Sequence, residues 1–415
     1  MQKHKKTNKT DQPEPRNGID RRKFLAGAVA TTAAFTILKP SQVRGTQANS
    51  RIKAGCIGLG GRGKMIAKMI QEHGGYQITA AADYFPEVVN KAGETFGVSK
   101  DKRYSGLSGY KKLIASDVDA VFCETPPYCF PDHITEAVKN KRHVYLAKPV
   151  ACDVPGCLQV AKMGKKATQN KTVFLVDFQM RTDPFVIGSV KCCHEGKIGK
   201  SGLMSSFYGD NGFRDPPLTK TIESRLQRLT WVNDIAIGGG LIVNCDIHAI
   251  DVALWIARAH PISAMGSARK MQANKNGDTH DIYSITYNFE DGSILSHRGD
   301  HLRNTNGGIR CEAYGQFGFC KTNYGGKSWA NGNKGGFRGG EVKNLYRQGA
   351  IRNIAAFHKS ITSGQYDNST VAPSVDSTLA TILGRQAANK GRPVTWDEMI
   401  KENKRIELDL SALKA

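Results

Sequence analysis

Short apolar runs alternate with helix-length amphipathic stretches through the first half of the chain. Ile52 to Ile57 (IKAGCI) reads as a buried strand, Lys64 to Glu72 as a helix, and Gln77 to Ala82 as a second strand ending at Asp83. The pattern repeats: a strand from Val118 to Glu124 runs into Thr125-Pro126, a helix covers Asp132 to Lys141, and "HVYLAKP" is a strand leading into Lys148-Pro149. A helix over "VPGCLQVAKMGKKATQ" and a strand over "KTVFLVDFQMR" complete the series. This β-α-β order predicts an α/β fold with a doubly wound parallel sheet, whose ligands lie at the carboxyl ends of the strands. Farther on, "DIYSITYNFEDGSILSHRGDH" predicts a hairpin turning at Asp291-Gly292. "NIAAFHKSI" and "TLATILGRQAA" have helical spacing, and the glycine-rich, basic stretch Asn323 to Gly340 predicts a mobile loop lining a substrate mouth.

The first 48 residues stand apart. They carry ten Lys/Arg and three Asp/Glu, hence +7 of the formal +22, and their apolar run, Phe24 to Leu38, is too short to span a bilayer comfortably. Arg21-Arg22 followed by Lys23-Phe24-Leu25 is the pattern of a twin-arginine export signal, with a weakly marked cut after Ala48. That predicts a periplasmic protein, handed folded to the twin-arginine export machinery, with no stable membrane span. The remaining +15 contains no basic block interleaved with aromatics, so a solvated basic surface is expected rather than a nucleic-acid partner. The ten cysteines show no C-x-x-C spacing, which predicts free thiols and no metal.

Specific chemistry enters at "GCIGLGGRG". Gly58, Gly60 and Gly63 follow a strand and open a helix, and Asp83 ends the next strand twenty residues beyond Gly63. The first glycine permits the tight turn, the second admits a pyrophosphate, and the third lets helix and strand pack closely. The helix N-terminus supplies amide donors. Leu59 and Arg62 belong to the same turn, and Thr125, Pro126 and Lys148 border it from neighbouring strand ends. Asp83 is placed to accept ribose hydroxyls and to repel a 2′-phosphate, so the expected cofactor is NAD rather than NADP.

With "HVYLAKP" and "GGGLIVNCDIHAID" (Gly238 to Asp251), the glycine turn resembles the Gfo/Idh/MocA family of NAD(P)-dependent sugar and cyclitol oxidoreductases, from about Arg51 to about Asn403. The resemblance implies a Rossmann domain over 51–177 and a C-terminal α/β domain over 178–403, with a large open antiparallel sheet that often meets a second copy in a homo-oligomer. Two departures are visible: Ala147 stands where the family has Glu before its lysine, and Asn244 where dehydrogenases of the family carry Asp four residues before the histidine. Lys148 can charge-stabilise an alkoxide or act as a base, and His248 can shuttle a proton. If its segment is helical, His248 shares a face with Asn244 and Asp251, and Asp251 could fix the imidazole tautomer. Asp246 is either a helix cap or a third catalytic group. Asn244 and Arg181 are candidate substrate contacts; Arg181 could equally pair with an acid. The function implied is hydride transfer from a small-molecule carbohydrate hydroxyl. The alternatives are a redox-neutral NAD-dependent glycoside hydrolase, which an exported enzyme without a free NAD pool would favour, or a catalytically impaired sugar-binding member.

Overall fold

The first sheet is built from strands whose side chains alternate between two buried faces. A computed structural model describes residues 51–213, 221–226, 230–272 and 277–414; the Arg21-Arg22 leader and the expected cut after Ala48 lie outside the described residues. Strands β1 (Ile52–Ile57), β2 (Tyr76–Asp83), β3 (Arg103–Ser105), β4 (Ala120–Cys123), β5 (His143–Ala147) and β6 (Phe174–Asp177) pair in the order β3-β2-β1-β4-β5-β6, all parallel. The order reverses between β1 and β4, so a crevice opens where the glycine turn leaves β1 and Thr125 leaves β4. Val121, Cys123, Val144 and Leu146 face one core, while Phe122 and Tyr145 face the other. That second core is completed by a late element: the helix Leu345–Ser363 lays Ala350, Ile354 and Phe357 against it, with Phe357 edge-on to Phe122 at 5.5 Å.

The second sheet has nine strands: β7 (Ser201–Gly209), β8 (Ser263–Arg269), β9 (Ile282–Asn288), β10 (Ile294–Asp300), β11 (Gly308–Gly315), β12 (Gly318–Asn323), β13 (Ser328–Gly332), β14 (Phe337–Gly340) and β15 (Val394–Thr395). Their order is β14-β13-β12-β11-β7-β10-β9-β8-β15. The sheet is mixed rather than purely antiparallel, because β7 and β10 run parallel at its centre. The β9–β10 hairpin turns at Asp291-Gly292 as expected, with Gly292 at φ 84. One face packs on the helix Ile247–Ala257 and the helix Val371–Lys390. The run Ile235–Ala257 is long and apolar enough to cross a membrane by composition, but its apolar window is 89% buried inside the protein. All ten cysteines are free.

Asn323 to Gly340 is not a loop. It forms the end of β12, the strand β13 and the edge strand β14. Ser328 and Ala330 alternate inward, and Trp329 stacks edge-on with Phe319 at 4.7 Å. Its glycines allow a turn, with Gly335 at φ 106, and close backbone approach, because a Cβ at Gly332 would overlap the Lys197 carbonyl. Glycine here serves contact rather than mobility. Both sheets belong to one contact unit, Arg51–Ala415.

Candidate active site

The glycine turn makes a cradle. Gly58 sits at φ 84 and packs on Glu124 and Thr125; a Cβ at Gly63 would overlap the Gly58 carbonyl oxygen. A Cβ at Gly60, by contrast, meets nothing within 4 Å, so the turn is open on that side. The helix Gly61–His73 starts directly on the turn, leaving its first amides without intrahelical partners. Beside it lies a cavity of about 330 Å³ lined by Gly58, Gly60, Asp83, Thr125, Pro126, Leu226 and Trp231. These residues fit a dinucleotide: an open amide-lined turn, a neighbouring acid and a largely apolar cavity. Asp83 is positioned by backbone donors, its Oδ2 2.7 Å from Leu59 N and its Oδ1 3.1 Å from Phe85 N. Thr125 Oγ1 lies 3.3 Å from His133 Nδ1.

Arg62 turns away from the cradle. Its guanidinium lies 3.0 Å from Glu124 Oε2, hydrogen-bonds Asp177 and covers the Tyr346 ring at 5.1 Å. Asn353 Nδ2 donates to Asp177 Oδ1 at 2.6 Å. Asp177 is the strand partner of Ala147, so the adjoining strand supplies a buried carboxylate beside the position where the family's glutamate is missing. Burial pushes the Glu124 carboxyl up to about 7, against the opposing pull of Arg62.

Lys148 follows β5, and its peptide to Pro149 is cis. Its Nζ donates to the backbone oxygen of Asn244 at 2.7 Å. Burial brings its ammonium down to about 8; Arg62 lowers it further, while Cys245, Asp177 and Glu124 act the other way. The Asn244 carbonyl is available because Ile242–Asp246 is a π-helical turn, whose wider, i→i+5 turns leave carbonyls displaced from the regular ladder. The turn follows Gly239 and Gly240, both at positive φ, and Arg385 pins it by donating to Gly239 O at 2.6 Å and Cys152 O at 3.0 Å. Asn244 Nδ2 donates to Gly238 O at 3.2 Å.

His248, on the next turn, is buried, and its Nδ1 has no hydrogen-bond partner among the described residues. Burial holds the imidazole well below its ordinary value, and the nearby Lys148 and Arg62 charges push the same way. Tyr208 lies parallel to it at 6.4 Å and Tyr324 edge-on at 5.4 Å. Lys148, His248 and Asn244 therefore converge, on the side of the crevice where β4 and β5 end.

Asp246 and Arg181 do not join them. Asp246 is fully buried, with Oδ2 3.0 Å from His297 Nε2 and Oδ1 2.9 Å from His301 Nε2. Its side chain makes no cap hydrogen bond to the helix that it precedes. Arg181 Nε and Nη2 hold the Asp251 carboxylate at 3.0 and 2.9 Å, over the Trp255 ring, and Ser377 Oγ donates to the same carboxylate at 2.7 Å. Asp251 is thus committed to Arg181 and Ser377 rather than to the His248 tautomer. Arg181→Met should lower stability by roughly 3 kcal/mol, because it strands a buried carboxylate. Dinucleotide affinity should hold, which thermal unfolding with and without NAD checks. Sequence reasoning missed Glu124, Asp177, His297 and His301. Of these only Glu124 gave a local signal, an acid ending an apolar run.

A Rossmann crevice with a buried lysine and histidine near the ends of β4 and β5, attached to a broad mixed sheet, defines a dinucleotide-dependent oxidoreductase architecture. Residues 52–177 match the family described as "Oxidoreductase family, NAD-binding Rossmann fold", and residues 191–320 match the "GFO/IDH/MocA C-terminal domain". The chain belongs to the Gfo/Idh/MocA family, and residues 52–177 are its NAD-binding Rossmann domain. It is 24% identical over 238 residues to an inositol 2-dehydrogenase of Rhizobium meliloti, covering 57% of this chain and 64% of that one. It is 28% identical over 158 residues to a glycosyl hydrolase family 109 protein of Shewanella amazonensis, covering 33% and 35%. The match thus spans under two thirds of either relative. The crystal structure of an aldose-aldose oxidoreductase from Caulobacter crescentus complexed with glycerol shares the fold, with TM-score 0.67, 18% identity, and coverage of 83% of this chain and 99% of that one.

Proposed function

We propose that this chain oxidises a ring hydroxyl of a sugar, sugar derivative or cyclitol with NAD. Bound NAD supplies the hydride acceptor. The chain itself must bind the dinucleotide, orient the carbinol and move one proton. The observation that carries the reading is Lys148: a buried amine at a strand end beside the cradle, held at a pKa where the neutral form is accessible. Neutral Lys148 takes the hydroxyl proton. His248, neutral and with an Nδ1 unpartnered among the described residues, offers the substrate oxygen a hydrogen bond. Asn244 supplies its carbonyl to Lys148 and takes no part as a base.

The pH dependence follows. A base must be unprotonated, so kcat/KM for oxidation should rise with pH and level off above an apparent pKa near 8. A profile falling through that range would remove Lys148 from the role of base. Asp83→Ser should weaken NAD and narrow the gap to NADP, because the repelling carboxylate is lost; dissociation constants for the two dinucleotides check this. A screen of cyclitols, aldoses and nitrophenyl glycosides on protein carrying its own nucleotide tests the assignment.

The family 109 relative favours a second reading, in which transient oxidation, elimination of an aglycone, water addition and re-reduction leave no net redox change. Aglycone release without accumulating NADH would select it. The Arg21-Arg22 leader supports export to the periplasm, tested by fractionation of an Arg21→Lys, Arg22→Lys variant. The open sheet face, with exposed Leu203, Met265, Ile294 and Tyr314, supports a homo-oligomer, tested by light scattering.

A further inference from the structure

We infer that Asp210, Cys245 and His301 form a site for a thiophilic divalent cation, with zinc the first candidate. The three come from separate segments: Asp210 follows β7, Cys245 lies in the π-helical turn and His301 follows β10. One donor atom from each, a carboxylate oxygen, a thiol sulfur and an imidazole nitrogen, all lie within 4.8 Å of one another. Ligands of one tetrahedral ion with bonds of about 2.0–2.3 Å lie roughly 3.3–3.8 Å apart, so small side-chain shifts are required to bring the three donors onto one ion. A sulfur, nitrogen and oxygen set favours zinc over magnesium or calcium and leaves a fourth tetrahedral position for water.

The surroundings are those of a supported ligand. His301 Nε2 lies 2.9 Å from Asp246 Oδ1, Asp246 Oδ2 lies 3.0 Å from His297 Nε2, and His297 Nδ1 lies 2.8 Å from Ser206 Oγ. The side chains of His301, Asp246 and His297 are fully buried. A carboxylate behind one imidazole nitrogen fixes the ring and leaves the other nitrogen for a metal. That other nitrogen, His301 Nδ1, lies 2.8 Å from Asp210 Oδ1, a distance bridged by a proton. Asp210 is the one partly exposed member, its side chain 30% accessible, which gives an ion a way in.

The position is behind the catalytic groups: Cys245 adjoins Asn244, whose carbonyl holds Lys148, and Tyr208, whose hydroxyl donates to Asp210 Oδ2 at 3.2 Å, lies parallel to His248. The inference does not depend on the proposed oxidation, and its test reads no turnover.

The experiment titrates chelator-treated full-length protein with Co²⁺ and then displaces it with Zn²⁺. One cobalt per chain is expected, with a sulfur-to-cobalt charge-transfer band. Cys245→Ser should abolish the band, while Cys193→Ser should keep it. Asp246→Asn, which removes the support behind His301, should weaken binding by roughly 10–100-fold. Circular dichroism checks each variant. Should Cys245→Ser not fold, X-ray absorption of the zinc-loaded wild type decides, with one sulfur and one imidazole in the first shell. No stoichiometric uptake, a band indifferent to Cys245→Ser, or a first shell of oxygen alone would overturn the site and leave a network bridged by protons only.

Discussion

Replacing Lys148 by alanine is expected to lower kcat by roughly 10²–10⁴-fold, the range for losing a positioned acid or base. The fold should tolerate the change. Lys148 makes its hydrogen bond to a backbone oxygen rather than to a buried charge that would be left unpaired. The Asn244 carbonyl loses one donor, while the π-helical turn keeps its anchors through Arg385 and Thr279, whose Oγ1 accepts from Leu241 N at 3.0 Å. NAD affinity should change far less than kcat, since the proposed seat of the diphosphate is the glycine turn rather than Lys148. The split between kcat and the dinucleotide dissociation constant therefore separates a catalytic lysine from a structural one. Unchanged turnover would remove Lys148 from the mechanism.

Gly63→Ala should lower dinucleotide affinity by at least ~100-fold, about 2.7 kcal/mol, and lower the Tm as well. The added methyl would occupy the space of the Gly58 carbonyl, and neither backbone segment can yield without opening the turn. Gly60→Ala is the informative contrast. Its methyl enters open space, so the Tm should hold while affinity falls, because the obstructed space is that of the ligand. Calorimetric titration with NAD and thermal unfolding of the two variants read both effects. Equal affinity in wild type and Gly60→Ala would show that the diphosphate does not approach there.

The parallel sheet and its cradle were legible because their signals are local. A glycine turn between a strand and a helix, with an acid at the next strand end, constrains only neighbouring residues, and β1, β2 and the helix Gly61–His73 formed where the spacing placed them. The direction of the Arg62 side chain was not legible, because sequence places the residue in the turn but does not tell which way a long side chain leaves it. Its destination depends on Glu124 and Asp177, which reach it only through the sheet order. Asp246 follows the same rule: the sequence offers a helix cap or a catalytic group, and the residue is committed to His297 and His301, far along the chain. Arg181 takes the second of its two readings, an ion pair, and only its partner, Asp251, was not legible. The segment Asn323 to Gly340 misled for another reason. Composition alone reads glycine as flexibility, whereas in β13 and β14 it permits close strand and backbone contact. The π-helical turn had no periodic signature, because Gly239 and Gly240 reset the register just before it.

The most direct measurement is a single turnover with enzyme in excess, carrying its bound NAD, mixed rapidly with a panel of cyclitols, aldoses and glycosides while nicotinamide reduction is followed by absorbance. The account predicts that at least one compound reduces the bound cofactor, transiently or durably, that deuterium at the oxidised carbon slows the step, and that Lys148→Ala suppresses it while still holding NAD. Cofactor that stays oxidised with every compound, in protein shown to bind NAD, would contradict it.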